Sequence, residues 1–490
     1  MHVYSRAPLV SGLDVTSQNL LDKLWQQWSY KLPRNTERLL YLDGKNKLKD
    51  LQVAIPPSLV DRLEIVSGWA EKAVTEPANR TVWDGMLNSD GSDDPLGLNQ
   101  ILHENHFKVE LPQAIKSSMA YSTAFLSVTH GDVQSGEPEV ITMFHSAMYA
   151  TGLWDRRRRA LSAGLLINDV DDLGNPVLAT VMFPDETVII RRGASMWYVD
   201  DVRPNVTGRV NLHNMPLAPD LDRPFGRARI DRRVMSLVDR AMRGDARLDV
   251  HSELFSAMKL IILGATEDTF KDESGNNVPL WNWSMSRLNG LGRDEEGELP
   301  SIEKITAESP EPHIAGLRQL AAEFSGHTGV PLGSLGIATD NPESADAKNV
   351  AREDIVFLVE NQHNYYGNAM IRAFEDAVMI RDGLSDRPEE VAKIELLWRR
   401  PDRATMAALA DAGAKQVQAA GLSGTKVGMK MLGMSQAEIR QAEAELRRAN
   451  VTKMVEALRN DSSGPAPDGP TEPEGAGDEG LASVPGGVEG

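Results

Sequence analysis

The stretch 329-GVPLGSLGIATDNPESADAKN-349 decides how this chain is read: three glycines and two prolines fall in its first fourteen residues, and a long run of helix formers follows. Glycine-rich loops that open helices often cradle phosphate on their free N–H groups. A P-loop, however, carries Gly-Lys-Ser/Thr into the helix, whereas these glycines are followed by Ser334, Ile337 and Asp340, and the nearest lysine is Lys348, already in the helical run. No strand precedes the loop either, because 313-HIAGLRQLAAEFSGHTG-329 is helical, and this also removes a Rossmann reading. What remains is a hinge between two helices, with Asn341 or Ser344 as the N-cap of the second.

Upstream of the hinge, residues 228–258 read as one long helix with Ile230, Val234, Leu237, Val238, Met242, Leu248, Phe255 and Met258 as apolar positions. Gly244 inside it costs up to about 1 kcal/mol relative to alanine and marks a kink or a close helix contact. A β excursion follows, with strand-like LIILG, the alternating 278-VPLWNWSM-285 and 301-SIEKIT-306; Trp281 and Trp283 lie on one strand face, suited to burial against a neighbouring subunit. Pro310 and Pro312 start a helix through Phe324. Downstream of the hinge, residues 343–382 hold no proline and only Gly367 inside a helix-compatible run. Such a helix is about 60 Å long, against a mean of about 11 or 12 residues for helices in general. Elements this long do not bury their faces inside one compact domain, so a ring or bundle of copies is the expected setting.

The N-terminal half carries helical spacing over 16–30, with Leu20, Leu21, Leu24, Trp25 and Trp28 on one face and Thr16 or Ser17 as N-cap. A second short helix over 36–42 runs into Asp43-Gly44, Pro56-Pro57 opens a third through about residue 74, and further helices cover 98–107 and 111–125. Segments 139–144, 161–167, 177–183, 186–192 and 196–202 are rich in β-branched and aromatic residues, predicting an antiparallel sheet inserted in a helical frame. A strand at 393–399, an alanine-rich helix opened by Pro401-Asp402, and a helix from the capping box 435-SQAE-438 to about Asn460 complete an α+β chain. Residues 461–490, with five prolines, eight glycines, seven acids and no Lys or Arg, are expected to be disordered.

Composition narrows function further. A formal charge of −19 argues against gripping nucleic acid by neutralising many phosphates. The absence of cysteine removes disulfides, thiolate zinc sites and cysteine nucleophiles. No apolar run reaches the roughly 18 residues of a membrane span, and the N-terminus lacks a signal-peptide apolar region, so a cytoplasmic protein is expected. Residues 169-DVDDLG-174 lack the ligand set of a calcium loop, having Leu173 at position five and Thr180 at position twelve, and read as a solvated turn. The histidines of 103-HENH-106 do not have the HExxH spacing. The basic run 156-RRRR-159 reads as a strand end or ion-pairing edge rather than a nucleic-acid contact. No catalytic constellation, metal site or cofactor site survives.

Several stretches taken in order resemble the portal protein family of tailed phages, of the type found in long-tailed phages of actinobacteria. They are 41-YLDGKNKL-48, 57-PSLVDRLEIVSGW-69, 259-KLIILGA-265, 309-SPEPHIAGLRQLAAEFSGHTGVPLGSLG-336 and 339-TDNPESADAKNVARED-354. The resemblance implies a homododecameric ring at one capsid vertex of the virion, assembled in the host bacterial cytoplasm, through which double-stranded DNA enters during packaging and leaves at infection. It implies as partners the terminase large subunit, a head-completion or adaptor protein, and the major capsid and scaffolding proteins, with no membrane, no cofactor and no enzyme activity. It divides the chain into a wing (1–225), a first stem helix (226–258), a clip (259–308) with Trp281, Trp283 and Met285 at its interface, and a second stem helix (309–328). A tunnel loop (329–342), a spine helix with a return strand to the wing (343–400), a helical crown (401–460) and the acidic tail (461–490) follow. The loop residues that would face the DNA channel are Val330, Pro331, Leu332, Gly333, Ser334, Leu335, Gly336, Ile337, Thr339, Asp340 and Asn341. Ser334, Thr339 and Asn341 offer weak neutral contacts to a sliding duplex, and Asp340 repels it. The rival expectations are a packaging ATPase or nuclease, which needs a nucleotide loop or clustered acidic metal site, and a capsid scaffold protein without a channel.

Overall fold

The computed structural model describes residues 6–49, 63–88, 94–256, 259–263, 301–305, 308–337, 353–402, 406–434 and 436–461. The chain divides into a unit spanning Met1–Asp402 and a unit spanning Arg403–Gly490.

After a two-residue strand β1 (Val10–Ser11), the first unit opens with α1 (Val15–Leu42), a single helix where the sequence suggested two. Pro33 lies inside it, yet the helix carries on because its buried face, from Leu21 through Trp28 and Leu32 to Tyr41, is held on both sides of the proline. Trp28 Nε1 donates to the Met148 carbonyl at 2.8 Å, and Asn35 donates to that of Ala147 at 3.2 Å. The N-cap is Asp14 rather than Thr16 or Ser17, its carboxylate accepting from the Thr16 and Ser17 amides at 2.7 and 3.1 Å. The third helix, α2 (Trp69–Ala78), starts later than expected: residues 63–68 are not helical, and the Pro56-Pro57 opening lies outside the described residues.

Strand β2 (Trp83–Leu87) leads to α3 (Leu98–Glu104) and α4 (Phe107–Tyr121). The helix expected to reach residue 125 stops at Tyr121, because Ser122 turns left-handed at φ 84° and β3 (Thr123–His130) begins at once. Residues 123–128 of β3 are all buried, and a strand covered on both faces shows no alternation to distinguish it from a helix. Strands β4 (Val140–Ser146), β5 (Ala150–Asp155), β6 (Ala160–Val170), β7 (Pro176–Met182), β8 (Glu186–Arg192), β9 (Trp197–Pro204) and β10 (Leu212–Pro216) follow. They form two sheets rather than the single one expected: a six-stranded sheet β1-β9-β8-β7-β6-β5 and a three-stranded sheet β10-β3-β4. All pairs in them are antiparallel except β1 with β9.

Helix α5 (Arg232–Ser256), the antiparallel pair β11 (Lys259–Leu263) and β12 (Ser301–Ile305), and α6 (Glu311–Thr328) follow the expected helix, β excursion, helix order, although α5 starts after Ile230 rather than at residue 228. Gly244 is explained by a close helix contact: a Cβ there would stand 2.7 Å from Leu317 Cδ2 of α6. The stretch 41-YLDGKNKL-48 docks on α5, since Tyr41 donates to Asp239 at 2.8 Å, Lys49 Nζ reaches the same carboxylate at 2.7 Å, and Asn46 meets Met242 Sδ at 3.1 Å. The long helix α7 (Glu353–Asp382) packs on the three-stranded sheet, and β13 (Glu395–Trp398) pairs with β2. Residues 343–352 and both proposed caps, Asn341 and Ser344, lie outside the described residues.

The second unit contains α8 (Met406–Ala420), α9 (Lys426–Met431) and α10 (Gln436–Asp461). The capping residue Ser435 and the tail 462–490 are outside the described residues.

Burial sets a pH dependence. His145, bonded to Ser127 Oγ at 2.8 Å, and His363, stacked on Trp398, are each held down to about 4 from an ordinary 6.5 by desolvation. Between those values the unfolded chain binds protons that the native histidines refuse, so stability falls as pH drops from about 6.5 toward about 4. Urea midpoints measured across that range should decline, and the double variant His145→Asn/His363→Asn should decline less steeply.

Candidate functional site

The loop begins at a helix end whose carbonyls need donors. Gly329 closes α6 in the left-handed region at φ 71°, its amide bonding Ser325 O at 2.7 Å. Thr328 Oγ1 donates to Phe324 O at 2.8 Å and accepts the Val330 amide at 3.2 Å. The Thr328 carbonyl is taken by Arg229, whose Nε also donates to Ala73 O at 2.9 Å and whose amide donates to Met119 O at 2.8 Å. Burial lowers the Arg229 guanidinium to about 10, opposed by Asp231, which leaves it charged at neutral pH. His327 Nε2 sits 3.0 Å from Asp231 Oδ2. The residues that lead into α5 therefore clamp the end of α6. On the other side, a Cβ at Gly329 would come 3.1 Å from Asp354 Cβ, so the first described turn of α7 lies directly against the cap.

The loop's first eight residues after Gly329 are fixed rather than a free hinge. Val330 is fully buried, Pro331 is extended, and Leu332–Leu335 make one 3-10 turn closed by Ser334 N to Pro331 O at 2.9 Å. Leu335 is buried, Leu332 and Ile337 pack on the main core, and Gly333 and Gly336 are exposed. Thr339, Asp340 and Asn341 lie outside the described residues, as do Trp281, Trp283 and Met285.

Sequence reasoning missed the residues that hold α7 in place. Asp376, with no exposed surface, accepts from Arg209 Nε at 2.6 Å and pairs with His213 Nε2 at 2.7 Å. Glu375 takes Arg209 Nη1 at 3.2 Å and lies 3.6 Å from Arg387 Nε. Gln362 accepts the Ala218 amide at 3.1 Å and donates to Pro216 O, and Tyr366 donates to Ser118 Oγ at 3.1 Å. The one signal available was an acid set into an apolar helical face, Asp376 among Ala373, Phe374, Ala377 and Val378.

Other motifs fall where local chemistry puts them. Residues 169 and 170 end β6, and 171–174 are a turn in which Asp171 pairs with Arg192 at 2.8 Å and accepts the Leu173 and Asn175 amides at 3.0 and 2.8 Å, holding its carboxyl down at about 2. Residues 156–159 form the β5–β6 turn, with Asp155 accepting the Arg157 and Arg158 amides at 2.8 and 3.1 Å. His103 lies in the last turn of α3 and His106 turns left-handed at φ 51°, so the pair spans a helix junction.

A family model described as phage portal protein, SPP1 Gp6-like, matches residues 21–452. The chain is 25% identical over 382 residues to the portal protein of Mycobacterium phage L5, covering 76% of this chain and 77% of that one. It is 24% identical over 382 residues to the portal protein of Mycobacterium phage D29, with the same coverage of 76% and 77%. Among solved structures it is similar to a chain of the neck of an empty GTA particle computed with C6 symmetry, with 13% identity, a TM-score of 0.39, and 75% of this chain and 90% of that chain covered. It is also similar to a chain of the neck of a native GTA particle computed with C12 symmetry, with 15% identity, a TM-score of 0.38, and coverage of 81% and 99%.

Two substitutions test the anchoring. Gly329→Ala forces a side chain into the left-handed region and against Asp354, and is expected to cost about 1–2 kcal/mol. Asp376→Ala strips the buried partner of Arg209 and His213; about 3 kcal/mol is expected, the low end for a broken buried pair because Arg209 keeps Glu375. Urea unfolding of each variant against the parent chain measures both.

Proposed function

The chain belongs to the phage portal protein family, SPP1 Gp6-like, and on that premise we propose that it forms a closed dodecameric ring at one capsid vertex through which double-stranded DNA is packaged and ejected. The observation that carries this reading is a family match running from residue 21 to residue 452, across helices, sheets, loop and long helix alike. In this reading residues 1–225 are the wing, α5 and α6 the stem, and β11 with β12 the base of a clip (259–308) that docks the terminase large subunit and later a head-completion adaptor. Trp281, Trp283 and Met285 supply its apolar contacts. The helix α7 is the spine, residues 401–460 the crown, and the wing rim meets the major capsid and scaffolding proteins. The protein works in the virion after assembly in the host bacterial cytoplasm, as a conduit and not as a catalyst.

Two physical points support the conduit. A chain of charge −19 holds phosphates poorly, so a duplex slides past with little position preference. The Arg229 clamp and the Gly329 cap fix the root of residues 329–337 to the body. With Val330 and Leu335 buried as part of that root, the surface offered to DNA narrows to Gly333, Ser334 and Gly336, continuing into Thr339, Asp340 and Asn341.

Electron microscopy of the purified protein should display rings of twelve with a central hole; monomers with metal-dependent nuclease or ATPase activity would overturn the reading. The triple variant Ser334→Lys/Thr339→Lys/Asn341→Lys should still form rings while DNA passage slows or stalls. Full-length packaging at the parental rate by that variant would remove the loop from the duplex path.

A further inference from the structure

A groove of about 1250 Å³ opens between the β5–β6 turn, β10 and the middle of α7. Six arginines line it, Arg156, Arg158, Arg159, Arg209, Arg372 and Arg387, against one carboxylate, Asp220, in a chain whose net charge is −19. Three of the six are paired inside the same copy: Arg209 with Asp376 and Glu375, Arg387 with Glu375, and Arg158 with Asp155. Arg156, Arg159 and Arg372 have no carboxylate within ion-pairing distance among the described residues. Arg372 donates instead to the Arg159 carbonyl at 2.6 Å. Its guanidinium is lowered by burial and by the repulsion of Arg387 and Arg209, with Glu375 and Asp376 opposing. The site therefore holds positive charge that this copy leaves uncompensated.

The groove is not the shape of a phosphate track. Its walls include Trp154, Leu161, Leu212 and Pro224, and Leu221 stands at the rim with 97% of its surface exposed. Apolar walls under a cationic rim suit a polypeptide carrying acids beside an apolar side chain, whereas a nucleic-acid backbone gains nothing from leucine and proline.

The same chain carries a segment of that chemistry. The β3–β4 turn, 131-GDVQSGEPEV-140, exposes Asp132, Glu137 and Glu139 with Val133 at 60% exposure, and it contains no Lys or Arg. Within one copy, turn and groove lie at different stations along α7. The turn's Glu139 acts on Arg381, nine residues beyond the groove's Arg372, which is about 14 Å along the helix. Head-to-tail association in a closed ring requires two different, mutually complementary patches on every copy. We propose that the acidic β3–β4 turn of one copy seats in the arginine groove of its neighbour, with Val133 against the apolar wall and the carboxylates on Arg156, Arg159 and Arg372. This rests on the ring reading above and names the contact that would close it.

The test compares the full-length chain with three variants by native mass spectrometry, using melting curves to confirm folding. They are Arg156→Glu/Arg159→Glu in the groove, Glu137→Lys/Glu139→Lys in the turn, and the two combined. Each single-patch variant is expected to remain a folded monomer at about tenfold or more above the concentration at which the parent assembles, and the combined reversal to assemble again. Leu221→Asp, an exposed change that leaves the fold alone, should weaken assembly in the same direction. Rings formed as readily by the groove variant as by the parent overturn the inference and leave the ring reading standing. A parent chain that forms no ring overturns both. A groove variant that assembles normally but loses binding to a fluorescein-labelled DNA duplex assigns the groove to nucleic acid and also overturns the inference.

Discussion

Arg229 is the residue on which the rest of this architecture depends. Its amide and guanidinium donate to the carbonyls of Met119, Ala73 and Thr328, so one side chain with its backbone joins α4, α2 and the end of α6 at the point where the chain enters α5. A carbonyl at a buried helix end has no partner within its own helix, and leaving it bare costs about as much as a lost hydrogen bond. A guanidinium suits this place because it carries several donors in a fixed plane and keeps its charge even when burial lowers its pKa to about 10. The left-handed Gly329 then ends α6 where Asp354 and Ile355 of α7 lie against it.

The long helix is held at a second station by a different kind of contact. Asp376 is wholly buried and meets Arg209 and His213, and its neighbour Glu375 binds Arg209 from the side. A buried charge cluster of this sort adds little net stability over an apolar one of equal volume, yet it tolerates one geometry only. Its effect is to fix which turn of α7 lies over β10, while Gln362 and Tyr366 fix the same helix further toward its start. The arginine groove lies beside this cluster and shares Arg209 and Arg387 with it, so the register of α7 also sets the shape of that surface.

Much of the framework was legible in the sequence. The helix, β excursion, helix, loop, long helix order follows from hydrophobic periodicity and from Gly and Pro punctuation; β11, β12 and α6 lie close to where those signals put them, α5 starts four residues later than expected, and of the long helix residues 353–382 are described. What escaped depends on contacts distant in sequence. Pro33 reads as a break until Trp28 and Asn35 are seen bonded to carbonyls more than a hundred residues away. Strand β3 reads as the end of a helix because both its faces are covered, and the division into two sheets is a matter of pairing, which alternation within single strands does not encode. The candidate site was legible in part. The glycines and prolines of the loop announced a junction, but nothing local marks Arg229 out from the other charged residues, and Asp376 stands out only as an acid among the apolar residues of its helix face. The segment taken for a hinge turned out rooted because Val330 and Leu335, apolar residues inside a glycine-rich stretch, find the core.

The Gly244 contact has a mechanical consequence. A Cβ at Gly244 would stand 2.7 Å from Leu317 Cδ2, so the bare glycine lets α5 and α6 approach more closely here than a residue with a side chain would without moving that leucine. The two helices are thus in close contact partway between the β11–β12 pair and the Thr328 clamp, so a load on one is shared with the other.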